Sequence, residues 1–292
     1  MPNHPGDFGL AWFGARAMIT GRNPYELVGP GLEYSWPWPL VYPGTAFVAA
    51  LPVAWLPLQP AIYLFVFISS ALLAYSVTEK GWFRLPMFGS AAFIVAAGAA
   101  QWSPLFTAAM GIPILGFFFA AKPTIGLAMG TAGSRRLQVS AIIGAAVLGV
   151  ISLVLFPSWP SLWLKQLHFA TQMAPPILRF GGPFVLLALL RWRLPDARLI
   201  VALACIPQVG SWYEALPLFL IPSTYRQTMI LAMTCSVGFL LGEMRPDTLN
   251  ETQINDFVGS LMIATVYLPA IIMLLRRTSE ATEVTARSRP SR

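Results

Sequence analysis

Apolar residues run along this chain in long blocks broken by short polar interruptions, without the alternation of a half-buried strand. A helix that crosses a bilayer needs about 20 mostly apolar residues. Blocks approaching that length fall at 60–78, 87–101, 104–121, 137–156, 182–192, 197–207, 213–222, 227–241 and 257–275. They predict an all-α polytopic membrane protein with nine crossings, not a barrel, whose strands would alternate over ~10 residues. The blocks at 182–192, 197–207 and 213–222 are short. A further apolar stretch, 41–58, carries Pro43, Pro52 and Pro57. Proline removes a helical hydrogen bond and clashes with the preceding turn, so this stretch reads as a bent segment at the membrane face. Residues 1–59 then form an outer-face loop with interfacial helices, and 60–277 the transmembrane helical domain. Residues 278–292 are rich in Ser, Thr and Arg without apolar periodicity, and read as a disordered cytoplasmic tail.

Composition agrees with that class. The chain is 56% hydrophobic and 11% charged, where soluble domains carry about 25% charged residues. The net charge of +7 sits mostly in short loops, which points to membrane orientation and away from nucleic acid. Cytoplasmic loops carry the excess of Lys and Arg. The groups Lys80/Arg84, Lys122/Arg135/Arg136, Arg191/Arg193, Arg226 and Arg276/Arg277 therefore mark the inner side. The N-terminal stretch, Gln101-Trp102, and the loops at 157–182, 208–214 and 243–256 fall outside, giving an outer N-terminus and a cytoplasmic C-terminus. Lys165, His168 and Arg179 are cations on the outer side, among Trp159, Trp163, Phe169 and Phe180. Cys205 and Cys235 lie in apolar runs and read as small buried hydrophobes. With two histidines and no Cys/His cluster, neither a metal nor a cofactor is expected.

The polar residues that could carry chemistry gather on the outer side. Asp7 opens a segment with Phe8, Leu10, Trp12, Phe13 and Ala17 on one face, as in a helix lying in the interface. An aspartate there either caps the helix or faces a substrate. Arg22-Asn23-Pro24-Tyr25 reads as a turn with an interface tyrosine. Glu33, Tyr34, Trp36, Trp38 and Tyr42 form an aromatic stretch with one acid, either a membrane-interface belt or faces on which sugar rings stack. Gln101 marks an outer helix boundary, Lys122-Pro123 an inner one, and Glu214 an outer boundary between aromatics. Lys165 and Arg179 suit a phosphate, of a substrate or of a lipid headgroup. No Gly-rich phosphate loop, Gly-x-Ser-x-Gly elbow or His-Glu-x-x-His is present, which leaves nucleotide chemistry without a motif.

The order of these pieces carries a resemblance: Asp7, then Ala15-Arg16-Ala17, Gly21-Arg22-Asn23-Pro24-Tyr25, Tyr42-Pro43, Leu51-Pro52 with Leu56-Pro57, Gln101, and Lys122-Pro123. Over roughly its first half the chain resembles the integral-membrane glycosyltransferases of the C superfold, and within them family 87, which includes polyprenyl-phosphate-mannose-dependent mannosyltransferases. The resemblance implies an essential aspartate in the first outer loop, matched by Asp7, acting as general base on an acceptor hydroxyl. It also implies a polyprenyl-phosphate-linked sugar donor (mannose in the named members) and a glycolipid or glycan acceptor. Transfer would occur on the outer face of a bacterial plasma membrane, usually with inversion, with cations holding the leaving phosphate. Substrate contacts are expected from Arg22, Tyr25, Glu33, Tyr34, Tyr42, Gln101, Lys165, His168, Arg179 and Glu214. The sequence departs from the pattern in having no helix ahead of the aspartate, so that a late start or a truncated relative is expected. It also has Tyr42-Pro43-Gly44 for Tyr-Pro-Pro, and Ala100-Gln101 for Gly-Gln.

Two other classes stay open. A transporter or flippase of lipid-linked glycans would carry intramembrane charges along its path, and the blocks 60–78, 87–101 and 137–156 contain none. A non-catalytic scaffold would tolerate loss of Asp7.

Overall fold

The computed structural model describes residues 6–79, 81–170, 173–207 and 210–287. Lys80, Gln208, the side chain of Phe169 and the tail end 288–292 lie outside these residues. The chain is mostly helical; among the described residues its strands are the two-residue β1 (Val28–Gly29) and β2 (Tyr34–Ser35), paired in parallel.

Among the described residues, three helices are long and apolar enough to cross a bilayer. They are α3 (Leu58–Thr78), α7 (Arg135–Leu155) and the run Glu251–Arg277. That run joins α11 (Glu251–Met262) to α12 (Leu268–Arg287) through a π-helical turn, Ile263–Tyr267. Only 33% of the apolar window of α3 and 28% of that of α7 is buried inside the protein, and Phe67, Ile142 and Val154 are largely exposed. Apolar faces of that extent are a liability in water, whereas helices are one of the two structures that satisfy their own backbone in hydrocarbon.

The remaining blocks do not become full-length spans. Block 87–101 yields α4 (Ala91–Gly98), and 104–121 begins as α5 (Ser103–Ala109). The two helices are bent by 118° at the break between them, and they give a fourth passage only if the pair counts as one. The block then continues as a tight 3-10 run, Pro113–Ala121. Blocks 182–192 and 213–222 also form 3-10 runs, Gly182–Arg191 and Trp212–Leu220, of 10 and 9 residues. Block 197–207 forms the 11-residue α9 (Pro195–Cys205). Block 227–241 lies in α10 (Tyr225–Glu243), whose ends carry Arg226, Gln227 and Glu243 and so dilute its apolar character. The structure thus supports three or four membrane-length passages where nine were expected.

Other expectations shift with the packing. The proline-broken stretch at 41–58 is the short α2 (Gly44–Ala50) and a turn at Leu51–Val53, followed by α3. Helix α1 (Gly6–Ile19) does start at the acid, but it buries Phe8, Leu10, Trp12, Ala15 and Met18, and so packs inside the protein instead of lying on an interface. The chain expected to be disordered from 278 continues as α12 to Arg287. Cys205 is exposed, and only Cys235 is buried.

The start of α1 is fixed by the bend between α4 and α5. The first N–H groups of a helix lack intrahelical acceptors. Here Asp7 N–H donates to the Ala99 carbonyl at 3.0 Å and Phe8 N–H to the Ala100 carbonyl at 3.1 Å. Ala100 presents its carbonyl from a left-handed backbone, φ 46°. Gly6 also has positive φ, 62°, and a Cβ there would collide with the Ala99 carbonyl oxygen. Left-handed conformation costs an L-residue about 1–2 kcal/mol. We expect Gly6→Ala to lower the thermal unfolding midpoint in detergent, by that cost and the collision together. Ala100→Gly relieves the same cost against about 0.4–1 kcal/mol of added unfolded-chain entropy, and should leave the midpoint unchanged or slightly raised. A fall with Ala100→Gly as large as that with Gly6→Ala would contradict the account.

Candidate active site

With α1 held at that bend, the Asp7 side chain does not cap its own helix. Its Oδ2 accepts a hydrogen bond from the Tyr42 hydroxyl at 2.5 Å and one from Lys122 Nζ at 2.9 Å. Both fall on one oxygen, and among the described residues no hydrogen bond reaches Oδ1. The ion pair is sheltered, with Asp7 and Lys122 side chains 17% and 14% exposed.

Each partner is set in place by its local chain. Lys122 precedes Pro123, and a residue before proline is driven out of helical geometry. Its φ of −138° separates the Pro113–Ala121 run from α6 (Pro123–Ala132), which throws the side chain towards α1. Its ammonium also donates to Gln101 Oε1 at 3.1 Å and lies 4.8 Å from the centre of the Tyr213 ring, within cation–π range. Tyr42 is steadied from behind, because the Tyr25 hydroxyl donates to the Tyr42 carbonyl at 2.9 Å. The turn bearing Tyr25 is capped by Asn23, whose Oδ1 accepts from Tyr25 N–H at 3.1 Å. Burial first, and then the charge of Asp7, push the Tyr42 phenol well above its usual range, so it remains a donor.

The ion pair corrects the sidedness derived from loop charges. Lys122 was assigned to the cytoplasmic face and Asp7 to the outer one; at 2.9 Å they share a face. Block 104–121 explains this, because it breaks at residues 110–112, between α5 and the Pro113–Ala121 run, and Lys122 at its end returns to within 3.1 Å of Gln101, just before its start. Segment 243–256 lies beside residues that were expected on the same side as it. Trp38 Nε1 donates to Glu251 Oε2 at 3.4 Å, and Arg179 to the Asn255 carbonyl at 2.5 Å.

A cavity of about 620 Å³ opens over the network. Asp7, Tyr42, Lys122, Tyr213 and Glu214 contribute its polar lining, and Trp36, Trp38, Trp163, Leu127 and Leu167 part of its apolar lining. Among the expected site residues, the structure joins Asp7 to Tyr42 directly, to Tyr25 through Tyr42 and to Gln101 through Lys122, and adds Glu214 to the same wall. It does not bring the others there. Arg22 pairs with Glu33 on the surface, the two side chains 49% and 45% exposed. Tyr34 stacks on Phe13 with centroids 3.9 Å apart. Lys165 and His168 are exposed on α8 (Trp159–Ala170) and do not line the cavity. Arg179 is buried, but its guanidinium is turned to the Ala174 and Asn255 carbonyls and lies outside the cavity wall.

Glu214 differs from Asp7. It is 4% exposed, and among the described residues neither carboxyl oxygen has a hydrogen-bond partner; Oε2 is fully enclosed. It lies outside the membrane-length helices. Burial pushes its carboxyl up to about 7; Lys122 opposes that shift, Asp7 adds to it and Arg179 opposes it. The loop charges missed Lys122 as a site residue because they put it and Asp7 on opposite faces. Tyr213, Trp36, Trp38 and Trp163 read as interface aromatics, and nothing in their spacing marks the cavity they share.

Comparison with family models, with curated proteins and with solved structures finds no match to this chain.

Removing one partner of a sheltered ion pair leaves a charge without compensation. Lys122→Met should cost about 3 kcal/mol and lower the unfolding midpoint. Adding Asp7→Asn should restore much of it, as a double-mutant cycle in detergent can measure. Strictly additive losses would show that the pair does not hold the site together.

Proposed function

We propose that this chain transfers a sugar from a polyprenyl-phosphate donor to a hydroxyl of a glycolipid or glycan on the outer face of a membrane, as a glycosyltransferase of the integral-membrane C superfold with a cytoplasmic C-terminus. The observation that carries the proposal is the way Asp7 is held. Tyr42 and Lys122 both grip Oδ2, which orients the carboxylate in the cavity wall and leaves Oδ1 for an acceptor hydroxyl. A positioned base of this kind contributes 10²–10⁴-fold to rate. The hydroxyl oxygen attacks the anomeric carbon, its proton passes to Asp7, and the bond to the phosphate oxygen breaks with the electron pair leaving on phosphate. Lys122 then stands beside the departing charge, where fixed cations lower the barrier.

The surroundings suit such a substrate. Trp36 and Trp38, centroids 6.2 Å apart, offer ring faces to a sugar. A second hollow of about 790 Å³, largely apolar, adjoins the first and shares Pro43, Pro123, Leu127 and Trp163 with it. It continues along Phe119 and along Ala141 and Ile142 of α7, and suits a prenyl chain. Mannose is the sugar the resemblance favours. No nucleotide or metal is required, because the donor's phosphate ester already activates the anomeric carbon.

The test is transfer in nanodiscs from radiolabelled polyprenyl-phosphate-mannose into total membrane lipid. Wild type should move label. Asp7→Asn, and Asp7→Asn with Lys122→Met, should fall by at least about 100-fold, and the double variant's regained stability separates lost chemistry from lost fold. Transfer at the wild-type rate by either variant would overturn the role of Asp7 and favour a scaffold or a flippase.

A further inference from the structure

We infer that Glu214 stands in the cavity wall as an uncharged carboxylic acid that donates a hydrogen bond to the phosphate of a bound lipid-linked ligand, and that its ionisation closes the cavity to anions. This rests on the lipid-phosphate reading above and adds to it a residue that decides when the anion is admitted.

The two carboxyl groups of the cavity are built differently. Asp7 has two donors on one oxygen, one of them an ammonium. Glu214 has none among the described residues, although the residue is only 4% exposed and its Oε2 is fully enclosed. A buried anion without donors is costly, and a carboxyl so placed holds its proton. Its upward shift to about 7 agrees with that geometry.

The charges facing Glu214 leave one assignment that admits an anion. Asp7 and Lys122 offset each other. Arg179, turned to carbonyls, is the further cation that acts on Glu214. The phenols of Tyr42 and Tyr213 stay protonated through burial. Helices α4 and α5, packed against Trp212–Leu220, bring no ionisable side chain. The other neighbours of that segment carry Tyr267 on the π turn, Asp196, Arg198 and Cys205 on α9, Tyr225, Arg226, Cys235 and Glu243 on α10, and Arg84, which reaches the Leu220 carbonyl at the far end of the segment; the charges that act on Glu214 are those of Lys122, Asp7 and Arg179. With Glu214 neutral, the cavity presents an ammonium and an acid O–H to a phosphate. With Glu214 ionised, a second negative charge faces the ligand beside Asp7.

The experiment measures binding of methyl farnesyl phosphate, a diester whose charge does not change over the range, to the full chain in phosphatidylcholine nanodiscs. The tryptophans lining the cavity supply the fluorescence signal, and farnesol is the uncharged control. If only the protonated form admits the anion, the apparent affinity falls about tenfold from pH 6 to pH 8, while farnesol binding stays flat. Glu214→Gln, permanently neutral, should bind the diester equally at both. Its stability should also respond. A carboxyl raised by folding carries no penalty below its unfolded value near 4.3 and the full penalty above about 7, so wild type loses stability across that window and Glu214→Gln does not. In wild type itself, a carboxylic-acid infrared band should be present at pH 6 and diminish by pH 8.

A flat diester affinity in wild type, or the same slope in Glu214→Gln, overturns the inference and leaves the lipid-phosphate reading intact. Failure of the diester to bind at any pH, with or without farnesol binding, overturns that reading, and the inference with it.

Discussion

The site depends on one ion pair. Lys122 and Asp7 lie 115 positions apart in the chain, and their contact brings the first described helix against the junction of the Pro113–Ala121 run and α6. Neither charge is well solvated, so each requires the other. The pair in turn fixes two neutral groups. Gln101 accepts from Lys122, and Tyr42 donates to Asp7. Tyr25 acts one step further out, by holding the Tyr42 backbone. A sheltered ion pair is weak evidence for net stability, since apolar residues of similar shape often do as well. Its value here is geometric, because a carboxylate gripped at one oxygen can offer the other in only a few directions.

That geometry rests on a bend which the apolar pattern disguises. Blocks 87–101 and 104–121 look like two spans joined by a short polar step. The step is a 118° turn whose carbonyls at Ala99 and Ala100 hold the start of α1, with Ala100 in a conformation that suits glycine. The chain bears the strain of this left-handed turn on an alanine.

Hydropathy made the class legible, since continuous apolar blocks and 11% charge exclude an ordinary soluble core. It also placed the start of α1 at Asp7, the break at Pro43, Pro52 and Pro57, and the membrane-length helices α3 and α7. It overstated the spans because block length says nothing about bending. A run of Pro, Gly and bulky apolar residues such as Pro113–Ala121 has the composition of a membrane helix but adopts a tighter coil. The loop charges separated Lys122 from Asp7 for the same reason: the positive-inside rule assumes that every apolar block crosses, and the residues flanking this one, Gln101 and Lys122, meet. Of the candidate site, Asp7, Tyr42 and Gln101 were marked by their order along the chain. Arg22 and Glu33 were marked equally strongly but satisfy each other on the surface, a pairing that sequence separation does not announce. Lys165 and Arg179 stood out only as cations on the unexpected side, and their orientation depends on packing that no local pattern encodes.

The two cavity acids show how one enclosure can hold identical chemistry in opposite states. Both are carboxyl groups, both are shielded from water, and they act on each other through the same small volume. What separates them is the supply of donors. An ammonium and a phenol reach Asp7, while nothing among the described residues reaches Glu214. If both were ionised, the cavity would repel the phosphate-bearing ligand proposed for it. If both were neutral, Lys122 would lose its charged partner and α1 its ionic tie to the junction before α6. One charged and one uncharged acid is the arrangement compatible with both the ion pair and an anionic ligand.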